Sequence, residues 1–150
     1  MNKILNWDEY FMSMAKLAAK RSKDPNTQVG ACIINEDNII IGMGYNGMPK
    51  GIDDKFPWTR EGDDNKYKYV IHAEANAILN AIKNLKGSTI YVSLFPCNDC
   101  AKMIAQSGIK KVVFEDNKYK GTLEVNISEK ILSSCGVEMK QISAGEVIIK

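Results

Sequence analysis

From Asn6 onward, Trp7, Tyr10, Phe11, Met14, Leu17 and Ala18 recur at helical spacing, while Lys16, Lys20 and Arg21 fall off that face. The pattern predicts an amphipathic helix, started by Asn6 or Asp8 as cap and stopped near Ser22 by Asp24-Pro25-Asn26. Two β-rich runs, 29–35 and 39–44, follow as a hairpin through Glu36-Asp37-Asn38, and Gly44-Tyr45-Asn46-Gly47-Met48-Pro49 makes a Gly-rich turn. Residues 50–69 are mostly polar, with two Asp-Asp pairs and no apolar period, and read as a long loop of the kind that is usually functional or disordered. Ala73, Ala77, Ile78, Ala81, Ile82 and Leu85 then mark a second helix from near His72 to just before Gly87. Residues 89–95 form a strand, Pro96 sits in the first turn of a third helix, and Ser107-Gly108 closes it. A strand at 111–115, a helix from about Ser128 to Ser134 and a strand near 137–142 complete the order, with Val147-Ile148-Ile149 offering a further edge. After the hairpin, this alternation implies a mostly parallel sheet covered on both faces, an α/β fold.

Composition places these elements in one unit. The chain has 150 residues, 45% of them hydrophobic and 25% charged, which fits one soluble domain over 1–150 and is far from the composition of disorder. A net charge of +2 makes bulk attraction to nucleic acid a poor expectation. Apolar runs such as Ile39-Ile40-Ile41 fall far short of the roughly 20 residues that cross a bilayer, so no membrane partner is expected. The amino-terminal stretch turns acidic at Asp8-Glu9 with no long apolar core, unlike a secretory signal, and the expected location is the cytoplasm.

Four cysteines and a single histidine narrow the chemistry. In a reducing compartment Cys32, Cys97, Cys100 and Cys135 stay thiols or metal ligands. Only Cys97-Asn98-Asp99-Cys100 is tightly spaced; Cys32, within a strand, and Cys135, closing a helix, read as ordinary buried thiols. His72-Ala73-Glu74 and Pro96-Cys97-Asn98-Asp99-Cys100 each open a predicted helix, where the partial positive charge of the helix end favours thiolate. One imidazole and two thiolates are one ligand short of a closed structural zinc site. Three protein ligands plus a water is the pattern of a catalytic zinc, which brings the pKa of that water to about 7. Glu74, two residues past the histidine, is better placed as a proton shuttle than as a further ligand. Two other readings stand beside this one: a redox pair of the thioredoxin kind, which leaves His72 and Glu74 unexplained, and a structural zinc module, which needs Asp99 or Glu74 as fourth ligand.

His72, Glu74, Pro96, Cys97 and Cys100 together match H-x-E…P-C-x-x-C, the known signature of zinc nucleobase deaminases. The chain resembles the deoxycytidylate branch of the cytidine and deoxycytidylate deaminase family from about Trp7 to Ile148. The resemblance is carried by Arg21-Ser22-Lys23-Asp24-Pro25-Asn26-Thr27-Gln28-Val29-Gly30-Ala31-Cys32, by the 44–49 turn and by Phe95-Pro96-Cys97-Asn98-Asp99-Cys100-Ala101-Lys102. It implies a three-layer α/β/α cytidine-deaminase-like fold with a mixed five-stranded sheet. It also implies zinc held by His72, Cys97 and Cys100, with Glu74 as the catalytic proton carrier in hydrolytic deamination of dCMP to dUMP and ammonia.

Arg21, Ser22 and Lys23, with Asn26 beyond the helix end, offer charge-assisted and neutral donors suited to a terminal phosphate, and by the same resemblance Asn46 meets the sugar 3′-hydroxyl while Ala73 and Tyr119 border the substrate. Lys20, Arg21 and Lys23 also suit the carboxyl end of a helix dipole, Asn46 suits a tight turn, and Tyr119 suits packing. Family members are typically homohexamers activated by dCTP and inhibited by dTTP with Mg2+, and Gly44, Tyr45, Asn46 and Gly47 resemble their effector segment. Some relatives hold a second, structural zinc before the catalytic histidine, but residues 50–69 contain no Cys or His, so one Zn2+ per chain is expected. A dual dCMP/dCTP deaminase and a transfer-RNA adenosine deaminase are the nearest alternatives.

Overall fold

The computed structural model describes residues 1–51 and 55–150; the 52–54 part of the predicted loop, with one of its Asp-Asp pairs, lies outside them. Helix α1 (Trp7–Ala19) starts with a capping box: Asn6 Oδ1 accepts from Glu9 N–H at 2.8 Å and Asn6 N–H donates to Glu9 Oε1 at 3.0 Å. Its buried face differs from the predicted one. Phe11, Met12, Ala15 and Ala19 are buried, while Trp7, Tyr10 and Leu17 are exposed. Ala15 and Ala19 allow the helix to lie directly on the sheet, where a Cβ on Gly30 would stand 1.8 Å from the Ala15 carbonyl oxygen. Aromatic bulk pointed to one stripe, and close approach through small residues selected its neighbour.

Five strands follow: β1 (Gly30–Ile34), β2 (Ile40–Tyr45), β3 (Thr89–Leu94), β4 (Lys111–Asp116) and β5 (Glu138–Gln141), in the sheet order β2-β1-β3-β4-β5. The hairpin β1-β2 and the pair β1-β3 are antiparallel, while β3-β4 and β4-β5 are parallel. The mixed sheet therefore matches the expected one. Helices α2 (Ala73–Asn80), α3 (Asn98–Ser107) and α4 (Leu123–Ser134) connect the later strands.

Strand alternation divides the core in two. Ala31, Ile33, Ile90, Val92, Val112 and Phe114 point to the face covered by α2, α3 and α4. Cys32, Ile34, Tyr91 and Val113 point to the opposite face, under α1, where Ile142 and Ala144 from the carboxyl-terminal segment also pack. This is the three-layer α/β/α arrangement.

Several element boundaries move. The second helix stops at Asn80 instead of continuing past Leu85, because the Ile82 N–H turns to the β2 edge and donates to the Ile41 carbonyl at 3.2 Å. Pro96 lies just outside the third helix, which Cys97 caps and Gly108 ends in the left-handed conformation at φ +86°. The fourth helix begins at Leu123, five residues earlier than expected, with Thr122 Oγ1 accepting from Val125 N–H. Its hidden signal is Ser128, fully buried in the helix stripe because its hydroxyl donates to the Glu124 carbonyl at 2.9 Å. Residues 147–149 form no strand, and Ile148 and Ile149 are exposed. Cys32 is buried as expected, but Cys135 caps the end of α4 on the exposed surface. No described helix is long and apolar enough to cross a membrane.

Helix α2 is pressed onto β2. A Cβ on Gly44 would stand 2.4 Å from Ala77 N and 2.7 Å from Ala73 O, both backbone atoms. Asn76 Nδ2 donates to the Tyr45 carbonyl at 2.8 Å and Asn80 Nδ2 to the Met43 carbonyl at 3.0 Å, fixing the helix along the strand. Gly44→Ala is therefore expected to destabilise by about 1–3 kcal/mol, since the contact is backbone against backbone. Urea unfolding checks this, and an unchanged midpoint would mean that α2 can lift off β2 freely.

Candidate active site

The chemistry-bearing residues converge where α2 and α3 begin. His72 is the N-cap of α2, reached through residue 71, whose N–H donates to the Gly47 carbonyl at 2.8 Å while its carbonyl accepts from Gly47 N–H at 3.0 Å. Cys97 is the N-cap of α3 and Cys100 lies in its first turn, on the chain that leaves β3 through Phe95 and the fully buried Pro96. Neither cap uses its side chain to hold its own helix, so imidazole and thiol are free to face each other.

His72 Nδ1 lies 3.4 Å from Cys97 Sγ and 3.5 Å from Cys100 Sγ, and the three ligand atoms fall within 4.8 Å of one another. Zinc bonds of about 2.3 Å to sulfur and about 2.05 Å to nitrogen at a tetrahedral angle require N···S separations of about 3.5 Å. The donor set therefore fits a zinc ion in both type and spacing. Among the described residues this is the one cluster of three or more His, Cys, Asp or Glu side chains arranged to hold a metal.

Charge in the site follows from its burial. The Cys97 thiol is drawn down by a hydrogen bond from Cys100 and by the adjacent imidazole, whereas Cys100, the donor of that bond and itself buried, is pushed up. Cys97 in turn raises the His72 pKa through their hydrogen bond. Glu74, in the first turn of α2, is 4% exposed, and burial pushes its pKa up to about 7 against the pull of His72. A carboxyl balanced near neutrality can both accept and return a proton, the property a general acid–base group needs.

His72, Glu74 and Cys97 line a cavity of about 340 Å³. Its wall includes Asn46, Ala73 and Tyr119, three of the residues expected at the substrate. Arg21, Ser22, Lys23 and Asn26 do not line it. Arg21 and Lys23 line a separate cavity of about 630 Å³ together with Gly44, Tyr45 and Gly47, and the Arg21 guanidinium stacks over the Tyr45 ring at 5.8 Å. Ser22 is buried, its hydroxyl donating to the Asn46 carbonyl at 2.8 Å, and Asn26 is exposed.

The Lys and Arg side chains that do line the cavity beside His72 are Arg60 and Lys66, from the stretch that reads in sequence as a polar loop. Lys66 begins the 3-10 turn Lys66–Lys68, and its buried ammonium donates to Asp24 Oδ2 at 2.6 Å. Phe56 stacks on Tyr69 at 4.7 Å, giving the same stretch an apolar contact of its own.

Residues 5–116 match the cytidine and deoxycytidylate deaminase zinc-binding region. The chain is 51% identical over 142 residues to the deoxycytidylate deaminase of Homo sapiens, spanning 91% of this chain and 80% of that protein. It is 50% identical over 144 residues to the deoxycytidylate deaminase of Mus musculus, spanning 93% and 81%. The crystal structure of dCMP deaminase from the cyanophage S-TIM5 in complex with dCMP and dUMP superposes with a TM-score of 0.77 at 28% identity, over 94% of this chain and 100% of that one. With the zinc-binding region spanning most of its length and half of its residues shared with such relatives, the chain belongs to the cytidine and deoxycytidylate deaminase family.

Proposed function

We propose that this chain, acting as one domain over 1–150, is a zinc-dependent enzyme that hydrolyses dCMP to dUMP and ammonia. The observation that carries this reading is the buried Glu74 beside the His72, Cys97 and Cys100 donors, next to a nucleotide-sized cavity that His72, Glu74 and Cys97 line. Relatives near 50% identity that are deoxycytidylate deaminases, and a superposable structure holding dCMP and dUMP, support the choice of substrate.

Zinc, when bound by His72, Cys97 and Cys100, makes water acidic enough to act as a nucleophile near neutral pH. Glu74 takes one proton from the attacking water and delivers it to N3 as C4 is attacked, then takes the proton of the new C4 hydroxyl and passes it to the departing amino group as the C4 carbonyl forms, so that water and dCMP become dUMP and ammonia. Leu94, Phe95 and Val125 line the cavity and exclude bulk water from these transfers. Asn46 meets the sugar 3′-hydroxyl, and Tyr119 and Ala73 border the nucleotide. Arg60 is the cation for the 5′-phosphate, because the ammonium of Lys66 is already committed to Asp24.

The second cavity, carrying Arg21 and Lys23 beside the 44–47 turn, supports a separate nucleotide site for dCTP activation and dTTP inhibition with Mg2+, within a cytoplasmic homohexamer. A transfer-RNA substrate gains little support from a net charge of +2.

Ultraviolet-monitored deamination of dCMP by zinc-loaded protein, beside cytidine, dCTP and transfer RNA and with dCTP as effector, tests the reading. Turnover of dCMP that rises with dCTP is expected; absence of dCMP turnover by folded, zinc-loaded protein overturns it. Metal analysis is expected to give one zinc per chain, falling toward zero in Cys97→Ser and Cys100→Ser, because a tridentate site loses most of its affinity with one ligand gone. Two zinc ions per chain would reveal a site outside this cluster.

A further inference from the structure

Asp24 is not used by the chemistry above, yet its carboxylate is among the most buried polar groups in the protein, with 3% of its side chain exposed. Each oxygen is doubly engaged. Oδ1 accepts from the backbone N–H of Asn26 at 2.8 Å and of Thr27 at 3.3 Å. Oδ2 accepts from Lys66 Nζ at 2.6 Å and from Asn46 Nδ2 at 3.3 Å. Burial works against its charge, but the hydrogen bonds from Lys66, Asn26 and Thr27 outweigh it and hold the pKa below the ordinary aspartate value.

The Asn46 amide is fixed by this arrangement. Its Nδ2 has two N–H bonds, one donated to Asp24 and the other to the Thr27 carbonyl at 2.9 Å. Its Oδ1 accepts from Val29 N–H at 2.8 Å. These partners leave only one orientation, since a flipped amide would set its oxygen against a carboxylate and a carbonyl. Both donors are then spent inside the protein, and the remaining capacity of the side chain is one lone pair on Oδ1. A side chain that can only accept recognises a group that donates, which means a hydroxyl and not a phosphate oxygen.

We propose that Asp24, paired with Lys66, is a positioning residue that locks the Asn46 amide so that the cavity meets an acceptor alone, and that this lock selects nucleotides carrying a sugar hydroxyl at that point. The inference rests on the proposed reading of Asn46 as the partner of the 3′-hydroxyl of dCMP. Without Asp24 the amide is free to turn, and its readout of the hydroxyl is lost even though Asn46 is still present.

The test compares dCMP with 2′,3′-dideoxycytidine 5′-monophosphate, which lacks only that hydroxyl. Zinc-loaded wild type is expected to prefer dCMP by about tenfold, the size of one good hydrogen bond, with the difference in KM and not in kcat. Asn46→Ala is expected to remove the preference. Asp24→Asn combined with Lys66→Met, which removes the pair without stranding either charge, is expected to bring it within about twofold of unity. Asp24→Glu keeps the ion pair, and so the fold, but displaces the carboxylate by one methylene, and is expected to weaken the preference in the same direction. Val113→Ala, on the far face of the sheet, is a control that loses stability while keeping the full preference.

Full preference in both Asp24 variants overturns the lock. Preference retained in Asn46→Ala overturns the proposal one step earlier, because Asn46 then does not read the hydroxyl. Failure of wild type to turn over dCMP at all is a separate result, and sinks the proposed function itself.

Discussion

Replacing Glu74 with Gln is expected to lower kcat for dCMP by about 10²–10⁴-fold, the usual share of a positioned acid–base group. Gln has the same shape and occupies the same buried first turn of α2, so packing and helix start are preserved. It cannot take a proton from water, nor hand one to N3 or to the departing nitrogen. Zinc content is expected to stay at one per chain, since the fitted donors are His72 Nδ1 and the two sulfurs. The thermal midpoint should hold or rise, because a carboxyl that burial makes costly to ionise is replaced by a neutral amide. Activity within tenfold of wild type would remove Glu74 from proton transfer. A fall in zinc content would show instead that it ligates the ion.

The grouping of His72, Glu74, Cys97 and Cys100 was legible in sequence because it is local. His72 and Glu74 lie two residues apart, Cys97 and Cys100 three apart, and each group stands where a strand or extended segment gives way to a helix. Four of the five strands were legible for a similar reason, as each carries a short apolar run bounded by turn residues, whereas β5 is the polar Glu138–Gln141. Helix faces and ends were harder to read. The buried face of α1 is set by a glycine on another element, and the end of α2 by a hydrogen bond to the β2 edge.

The cavity wall was the least legible part. Lys66 sits in a run of charged and tyrosine residues that reads as solvated loop, and what buries it is a carboxylate 42 positions away. Asp24 reads equally well as a helix-stopping turn residue, a role it also fills through the N–H groups of Asn26 and Thr27. Arg21 and Lys23 were expected at the substrate for their phosphate-binding donors and the resemblance of their segment. The chain instead leaves the helix in a direction that carries them to the other cavity.

The Asp24–Lys66 pair also sets the largest expected loss of stability. Lys66→Met keeps most of the side-chain volume but leaves the Asp24 carboxylate buried without its cation, which is expected to cost about 3–5 kcal/mol at pH 7. The sign of its pH dependence follows from the direction of the shift. In wild type the folded pKa of Asp24 lies below its ordinary value of 3.8, so its stabilising contribution is present above that value and is lost as pH falls through the folded one. In Lys66→Met the strongest of the groups lowering that pKa is gone while the burial that raises it remains, so the folded pKa is expected to rise. Asp24 then takes up a proton on mild acidification, and its neutral form is far less costly to bury. The gap in urea stability between wild type and Lys66→Met is therefore expected to be widest at pH 7 and to narrow toward pH 4. Pairing the change with Asp24→Asn should recover much of the loss at pH 7. An equal gap at both pH values, with no recovery in the double variant, would mean that lost packing of the lysine stem, and not the stranded carboxylate, accounts for the defect.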